Sequence, residues 1–163
     1  MEFEKAASDS SLQGEILFIN TDSVISQYAL AEEKRKFLEQ KNLNRERQLR
    51  GKQGQYEAEL KKYQKEQPIL TQREQAKAEE KLMKLQNEIL ELQQQFQQEA
   101  LAEEQALVLM LADTLESFML EYAQGKNIKY VLGYQRDGSI FYKNPRLNIT
   151  GEVIEALNQR YKP

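Results

Sequence analysis

Gln67-Pro-Ile-Leu-Thr-Gln-Arg-Glu74 interrupts an otherwise continuous helical pattern, and its reading decides the fold. Pro68 disfavours helix at the residue before it. Thr71 and Glu74 have capping-box spacing, in which each side chain satisfies an orphan amide of a first helical turn. The octapeptide therefore ends one helix and begins another. From about Ser23 to Gln124 there is a single proline, no strand-like alternation, and apolar residues recurring at three and four. The pattern predicts two long helices folded back on each other, with the tip near 67–71.

The return helix carries the clearer signal. Leu82, Leu85, Ile89, Leu92 and Phe96 make one seam, and Val108, Leu111, Leu115, Phe118 and Tyr122 a second. The step between them breaks the heptad, so a stutter falls near Glu99 to Glu104. The biased run Gln93-Gln-Gln-Phe-Gln-Gln98 keeps its helical phase and reads as solvated helix surface. On the first helix, Tyr28, Ala31, Leu38, Leu49, Tyr56, Leu60 and Tyr63 share a seam. Arg35, Asn42, Arg45 and Gln53 interrupt it, so it is expected to pack loosely. Gly51 and Gly54 each weaken a helix interior by roughly 1 kcal/mol against alanine. They are either tolerated weak spots or the hinge of the arm. At ~1.5 Å per residue, helices of about 45 residues would extend roughly 65 Å.

Outside this stretch the pattern turns to β. Glu15–Asn20 is a short apolar run of strand character, and Asn20, Thr21, Asp22 or Ser23 would cap the helix after it. Gly125 suits a helix C-cap. Ile128–Tyr134 and Ser139–Tyr142 flank Gln135-Arg-Asp-Gly138, a β-hairpin signal. Thr150 is positioned to cap a last helix, 151–160, with Val153, Ile154 and Leu157 inward. That role accounts for Thr150 without the glycosylation triplet Asn148-Ile-Thr150. Residues 1–14 read as a disordered tail. The expected fold is α+β, mostly α. An antiparallel helical hairpin (23–105) forms an arm on a small β body built from 15–22 and 106–163.

That body has only about 60 residues, few for a self-sufficient core. Three short strands leave edges unpaired, and 106–122 is apolar nearly all round. Oligomerisation answers all three. Its core is expected to include Ile16, Phe18, Leu107, Val108, Leu111, Leu115, Phe118, Val131 and Ile140.

Composition excludes several chemistries. There is no His and no Cys, which removes triad and thiol catalysis and nearly all zinc sites. A net charge of −3 is not a nucleic-acid footprint. Carboxylate pairs such as Glu32/Glu33 and Glu103/Glu104 lie on helical faces without a pocket, so they read as solvent charges. No enzyme activity, metal or cofactor is expected. The longest apolar run, Ala106–Ala112, is far short of the ~20 residues of a membrane span. The first fourteen residues carry no apolar signal core, which fits either a cytosolic protein or a chain whose targeting segment has been removed.

The order of elements is specific: Ile19-Asn-Thr-Asp-Ser23, a long helical hairpin, Lys129-Tyr-Val-Leu-Gly133, Ile140-Phe-Tyr142, and Leu147-Asn-Ile-Thr150 before Val153-Ile-Glu-Ala-Leu157. It resembles the Skp (OmpH-like) periplasmic chaperone family over residues 15–161. The resemblance implies a jellyfish-like homotrimer in the periplasm, with helical arms enclosing unfolded outer-membrane proteins without ATP. A holdase of this kind needs diffuse, adaptable contacts. On that reading Phe37, Leu43, Ile69 and Leu70 are candidate client contacts. Tyr28, Tyr56, Tyr63 and Phe96 suit helix packing better. The family's best-known members are basic, whereas this chain is acidic overall. Residues 41–77 nonetheless carry ten Lys or Arg against five Glu, and 78–104 two Lys against seven Glu. Lys61, Lys62, Lys65 and Arg73 in the basic part could draw acidic clients or an anionic membrane surface. The rival reading is a coiled-coil scaffold or adaptor presenting one partner site, against which the polar seam from Arg35 to Gln53 counts mildly.

Overall fold

The computed structural model describes residues 15–135, 138, 140 and 142–161. The expected tail, 1–14, lies outside the described residues. In chain order the elements are β1 (Glu15–Asn20), α1 (Thr21–Gln27), α2 (Ala29–Glu66), α3 (Gln72–Ala123), β2 (Ile128–Tyr134) and α4 (Thr150–Arg160). Single 3-10 turns stand at Gln67–Ile69 and Pro145–Leu147. The chain divides into two compact units, 34–108 and the two flanking segments up to 33 and from 109.

In the flanking unit, β1 pairs with β2 in parallel, Leu17 against Val131 and Ile19 against Gly133. The apolar run Ile16–Ile19 thus finds its partner more than a hundred residues away. Among the described residues this parallel partner is the one β2 pairs with, and the expected hairpin partner 139–142 falls in part outside them. The turn does close, with Gly138 N–H donating to the Gln135 carbonyl at 3.0 Å. Residues 139 and 141 lie outside the described residues, and Ile140 and Tyr142 carry no strand. On its other side β1 meets the chain before α4: Phe18 bridges Asn148, and Ile149 N–H donates to the Phe18 carbonyl.

Asn20 is the cap of α1, its side-chain oxygen accepting from Ser23 N–H at 2.9 Å. The first helix is not continuous, because Tyr28 is extended (φ −78°, ψ 120°) between α1 and α2. Asn158 of α4 spans that break, accepting from Ala29 N–H and donating to the Gln27 carbonyl. Tyr28 itself is buried edge-on against Tyr161. Thr150 is the first residue of α4 rather than its cap. Its hydroxyl accepts from Asn20 N–H at 2.8 Å and donates to Asn148, pinning the end of β1 to the start of α4. Gly125, at φ +72°, ends α3 in the left-handed region that glycine adopts without strain.

Leu17, Phe18, Ile19, Val24, Tyr28, Ala31, Leu111, Phe118, Ile149, Val153 and Leu157 are the buried apolar residues, all in this unit. Burying one such side chain stabilises by about 1.5–3 kcal/mol. Unit 34–108 has a different interior. Its one buried residue, among those described, is Arg45.

Candidate functional site on the paired helices

Within unit 34–108 the side-chain bonds between α2 and α3 run in opposite order. Lys41 pairs with Glu103, Arg45 with Glu99 and Glu103, Lys52 with Glu88 at 2.7 Å, Glu59 with Lys81 at 2.6 Å, and Tyr63 with Glu79 at 2.6 Å. As numbering rises along α2 it falls along α3, so here the two helices are antiparallel. The expected capping box forms at the start of α3. Thr71 N–H donates to the Glu74 carboxylate at 2.8 Å, and Glu74 N–H to the Thr71 hydroxyl at 3.4 Å.

The ion pairs follow from the charge each helix brings. Residues 34–66 hold eleven Lys or Arg against five Glu, and 72–108 four against eight. A net +6 therefore lies along a net −4. Of the basic residues in 41–77, Lys41, Arg45 and Lys52 meet carboxylates of the neighbouring helix.

Arg45 is the centre of this arrangement and 8% exposed. Its Nη2 donates to Glu103 Oε1 at 2.7 Å and Glu99 Oε2 at 3.1 Å, its Nε to Glu99 at 3.3 Å, and its Nη1 to Asn42 at 2.9 Å. The expectation of loose packing fails at this position, because a guanidinium among three acceptors is held, not tolerated. Hydrogen bonds from Arg45 and then Lys41 hold the Glu103 carboxyl below the ordinary carboxylate range. Gln95 and then Arg45 do the same for Glu99. Glu103 Oε2 is buried with no hydrogen-bond partner among the described residues.

The sequence-picked contact residues are scattered. Phe37 is exposed with Lys41 Nζ 5.7 Å from its ring centre, and Leu43 is at the margin of exposure. Ile69 stands 84% exposed at the 3-10 turn. Leu70 is half-buried, its carbonyl accepting from Gln75. Lys61, Lys62, Lys65 and Arg73 are exposed. A cleft of about 240 Å³ near the turn is lined by Lys62, Tyr63, Leu70 and Lys77 with Glu59, Glu66 and Glu74, a mixed set with no catalytic constellation. Helix α2 runs unbroken through Gly51 and Gly54, and a Cβ at either would meet nothing within 4 Å.

The model of the family described as "Outer membrane protein (OmpH-like)" matches residues 15–157. The chain belongs to the OmpH-like family. That membership supports a chaperone role. Among solved structures, a protein from Caulobacter crescentus CB15 assigned as an OmpH-like outer membrane chaperone superposes with a TM-score of 0.81. It is 18% identical, with 92% of this chain and 87% of that one covered, a likeness of fold. No match is found among curated proteins.

For an OmpH-like chain, the residues expected in an oligomer core divide into two sets. Phe18, Leu111 and Phe118 are buried in the chain's own core, while Leu107, Leu115, Val131 and Ile140 are half-buried. Ile16 and Val108 are at least half exposed, as are Leu109, Leu120 and Tyr130, which sequence reasoning did not single out as contacts. It also passed over Met83, Leu90 and Leu101 on α3, each more than half exposed. Their seven- and eleven-residue spacing was the signal available.

Proposed function

We propose that this OmpH-like chain is an ATP-independent holdase that keeps unfolded outer-membrane proteins soluble in the periplasm, enclosed between helical arms of a homotrimer. The observation that carries the reading is the character of unit 34–108. It has two long helices without a fully packed apolar core among the described residues, bridged by ion pairs across a half-buried apolar seam, with large apolar side chains left outside. Such a surface offers many weak contacts and no preorganised pocket, as promiscuous binding requires. Among the described residues no group of three or more potential ligands is placed to hold a metal, and no helix is long and apolar enough to cross a membrane.

Assembly has its own support. In the flanking unit Ile16, Leu109, Leu120, Tyr130 and Leu132 are exposed, and β2 pairs with β1 alone among the described strands. A second copy would cover both the apolar side chains and the free strand edge. The trimeric number follows the family resemblance.

Light scattering tests the proposal, on the chain alone and after dilution of a urea-unfolded outer-membrane β-barrel protein into it. A mass near three times 19.1 kDa that holds the barrel protein in a soluble complex is expected. An oligomer that leaves it to aggregate would favour the scaffold reading. A stable monomer would refute the assembly.

A further inference from the structure

In the glutamine-rich run of α3, Phe96 is half-buried, and the Gln95–Glu99 hydrogen bond stays within the helix rather than reaching α2. At about 100° per residue, Met83, Leu90, Leu101 and Val108 fall within roughly 20° of one another around the helix. The residues bonded to α2 or half-buried toward it, Leu85, Leu92, Phe96, Glu99 and Glu103, lie roughly on the opposite side. The four apolar residues are between 57% and 63% exposed. Between Met83 and Leu101 the same side presents Gln86, Asn87, Gln94, Gln97 and Gln98, all exposed. None of these five amides forms a side-chain hydrogen bond with another described residue. Lys84 and Glu91 flank the strip, but no charge lies on it over 18 residues, about 27 Å. In a chain that is 30% charged, this is an unusual surface.

We infer that this uncharged amide–apolar face of α3 is where an extended, unfolded polypeptide segment of alternating apolar and polar residues docks. The inference deepens the holdase proposal and rests on it. A primary amide both donates and accepts, so it can meet a peptide N–H or C=O at any position, whatever the sequence. The intervening Met and Leu side chains cover apolar residues without demanding one shape. Charges are absent because bringing a client's apolar face against one costs desolvation without a partner to offset it. Length agrees to within two residues. The 18 residues from Met83 to Leu101 measure about 27 Å along a helix, and the exposed Glu104 ends the uncharged strip beyond them. An extended segment of ~8 residues spans the same distance, against ~9–11 in one transmembrane β-strand. Such strands alternate apolar and polar side chains, and their lipid-facing positions avoid charge.

The test uses the full-length chain and a urea-unfolded outer-membrane β-barrel protein as probe. Gln94→Glu/Gln97→Glu/Gln98→Glu preserves side-chain shape and helix propensity, and Gln40→Glu/Gln48→Glu adds charge to exposed positions of α2. The α3 variant should hold the probe about tenfold more weakly, with helical circular dichroism and oligomer mass unchanged. The α2 variant should match the parent. Gln94→Lys/Gln98→Lys should lose binding too, which separates charge burial from attraction to the probe's net charge. Leu90→Gln/Leu101→Gln gives a second route to the same loss. Parent-like binding by the α3 variants, or opposite effects of Glu and Lys, overturns the inference and leaves the holdase proposal standing. A change of oligomer mass in the α3 variants overturns it in favour of a second copy as occupant. No binding by the parent overturns both.

Discussion

Truncating Arg45 to alanine is the sharpest perturbation of the paired helices. Removing one member of a fully buried ion pair costs about 3–5 kcal/mol, whereas exposed pairs contribute about 0.2–1 kcal/mol. Arg45 lies between these limits. Its own side chain is 10% exposed, Glu103 is 24% and Glu99 is 42% exposed, so water reaches the partners. Lys41 also remains to hold Glu103. The expected loss is about 2 kcal/mol, read as a lowered urea midpoint of the helical signal at fixed protomer concentration, since assembly shifts apparent stability. A double-mutant cycle of Arg45→Ala with Glu103→Gln should return a coupling of about 1–2 kcal/mol. The same cycle on the exposed Lys81–Glu59 pair should return less than about 1 kcal/mol. In 1 M salt, where screening acts within about 3 Å, the second coupling should vanish and the first persist. Arg45→Met with Glu103→Leu removes both charges and should restore or raise stability, because well-packed apolar residues replace such pairs without desolvation cost. An Arg45→Ala loss under about 0.5 kcal/mol, or equal couplings at the two pairs, would refute the reasoning.

Further outcomes follow from the glycines and from the glutamates of the paired helices. Gly51→Ala and Gly54→Ala should each raise the melting temperature through up to about 1 kcal/mol of helix propensity, since the added methyl meets nothing; a loss of stability at either would mean a contact is hidden there. If these glycines let the helix flex, the double variant should also capture unfolded probe more slowly in stopped-flow light scattering. Gly133→Ala should destabilise the flanking unit, because its Cβ would sit 2.9 Å from Thr21 Cγ2 and disturb the bond from the Thr21 hydroxyl to the Tyr134 carbonyl; the circular-dichroism melt of the variant checks this, and an unchanged melt would contradict it. Glu59, Glu88, Glu99 and Glu103 are held below their ordinary values by their cationic and amide partners. The unfolded chain thus binds protons more readily. Their stabilisation is full above the ordinary glutamate value of about 4.3 and fades as pH falls through the lower folded values. The urea midpoint should hold steady from neutrality to about pH 5 and decline below pH 4, less steeply in Arg45→Met, and a steady midpoint down to pH 3 would be the contrary result.

What the sequence disclosed divides by the distance over which each signal acts. The seam Leu82–Phe96, the Thr71–Glu74 box, Asn20 among the candidate caps and Gly125 were all legible, because periodicity and capping are settled within one or two helical turns. The failures needed a partner from elsewhere. Tyr28 breaks the first helix where Asn158, 130 residues further on, supplies the amide that both broken ends use. Thr150 looked like a cap from its neighbours, but its hydroxyl is engaged by Asn20. Ile128–Tyr134 has a good turn after it, and nothing local to that turn points to β1, more than a hundred residues away, as its parallel partner. Arg45 is the most instructive case. On a heptad it counts against packing, since the acceptors that make it an anchor lie 54 and 58 residues away. The signal that could have found it was the charge balance itself. Once the break at Pro68 folds a basic helix onto an acidic one, cations at seam positions such as Arg45 have carboxylates to meet. A seam arginine should therefore be judged against the helix that will face it, and the positive charge left for clients counted only after that pairing.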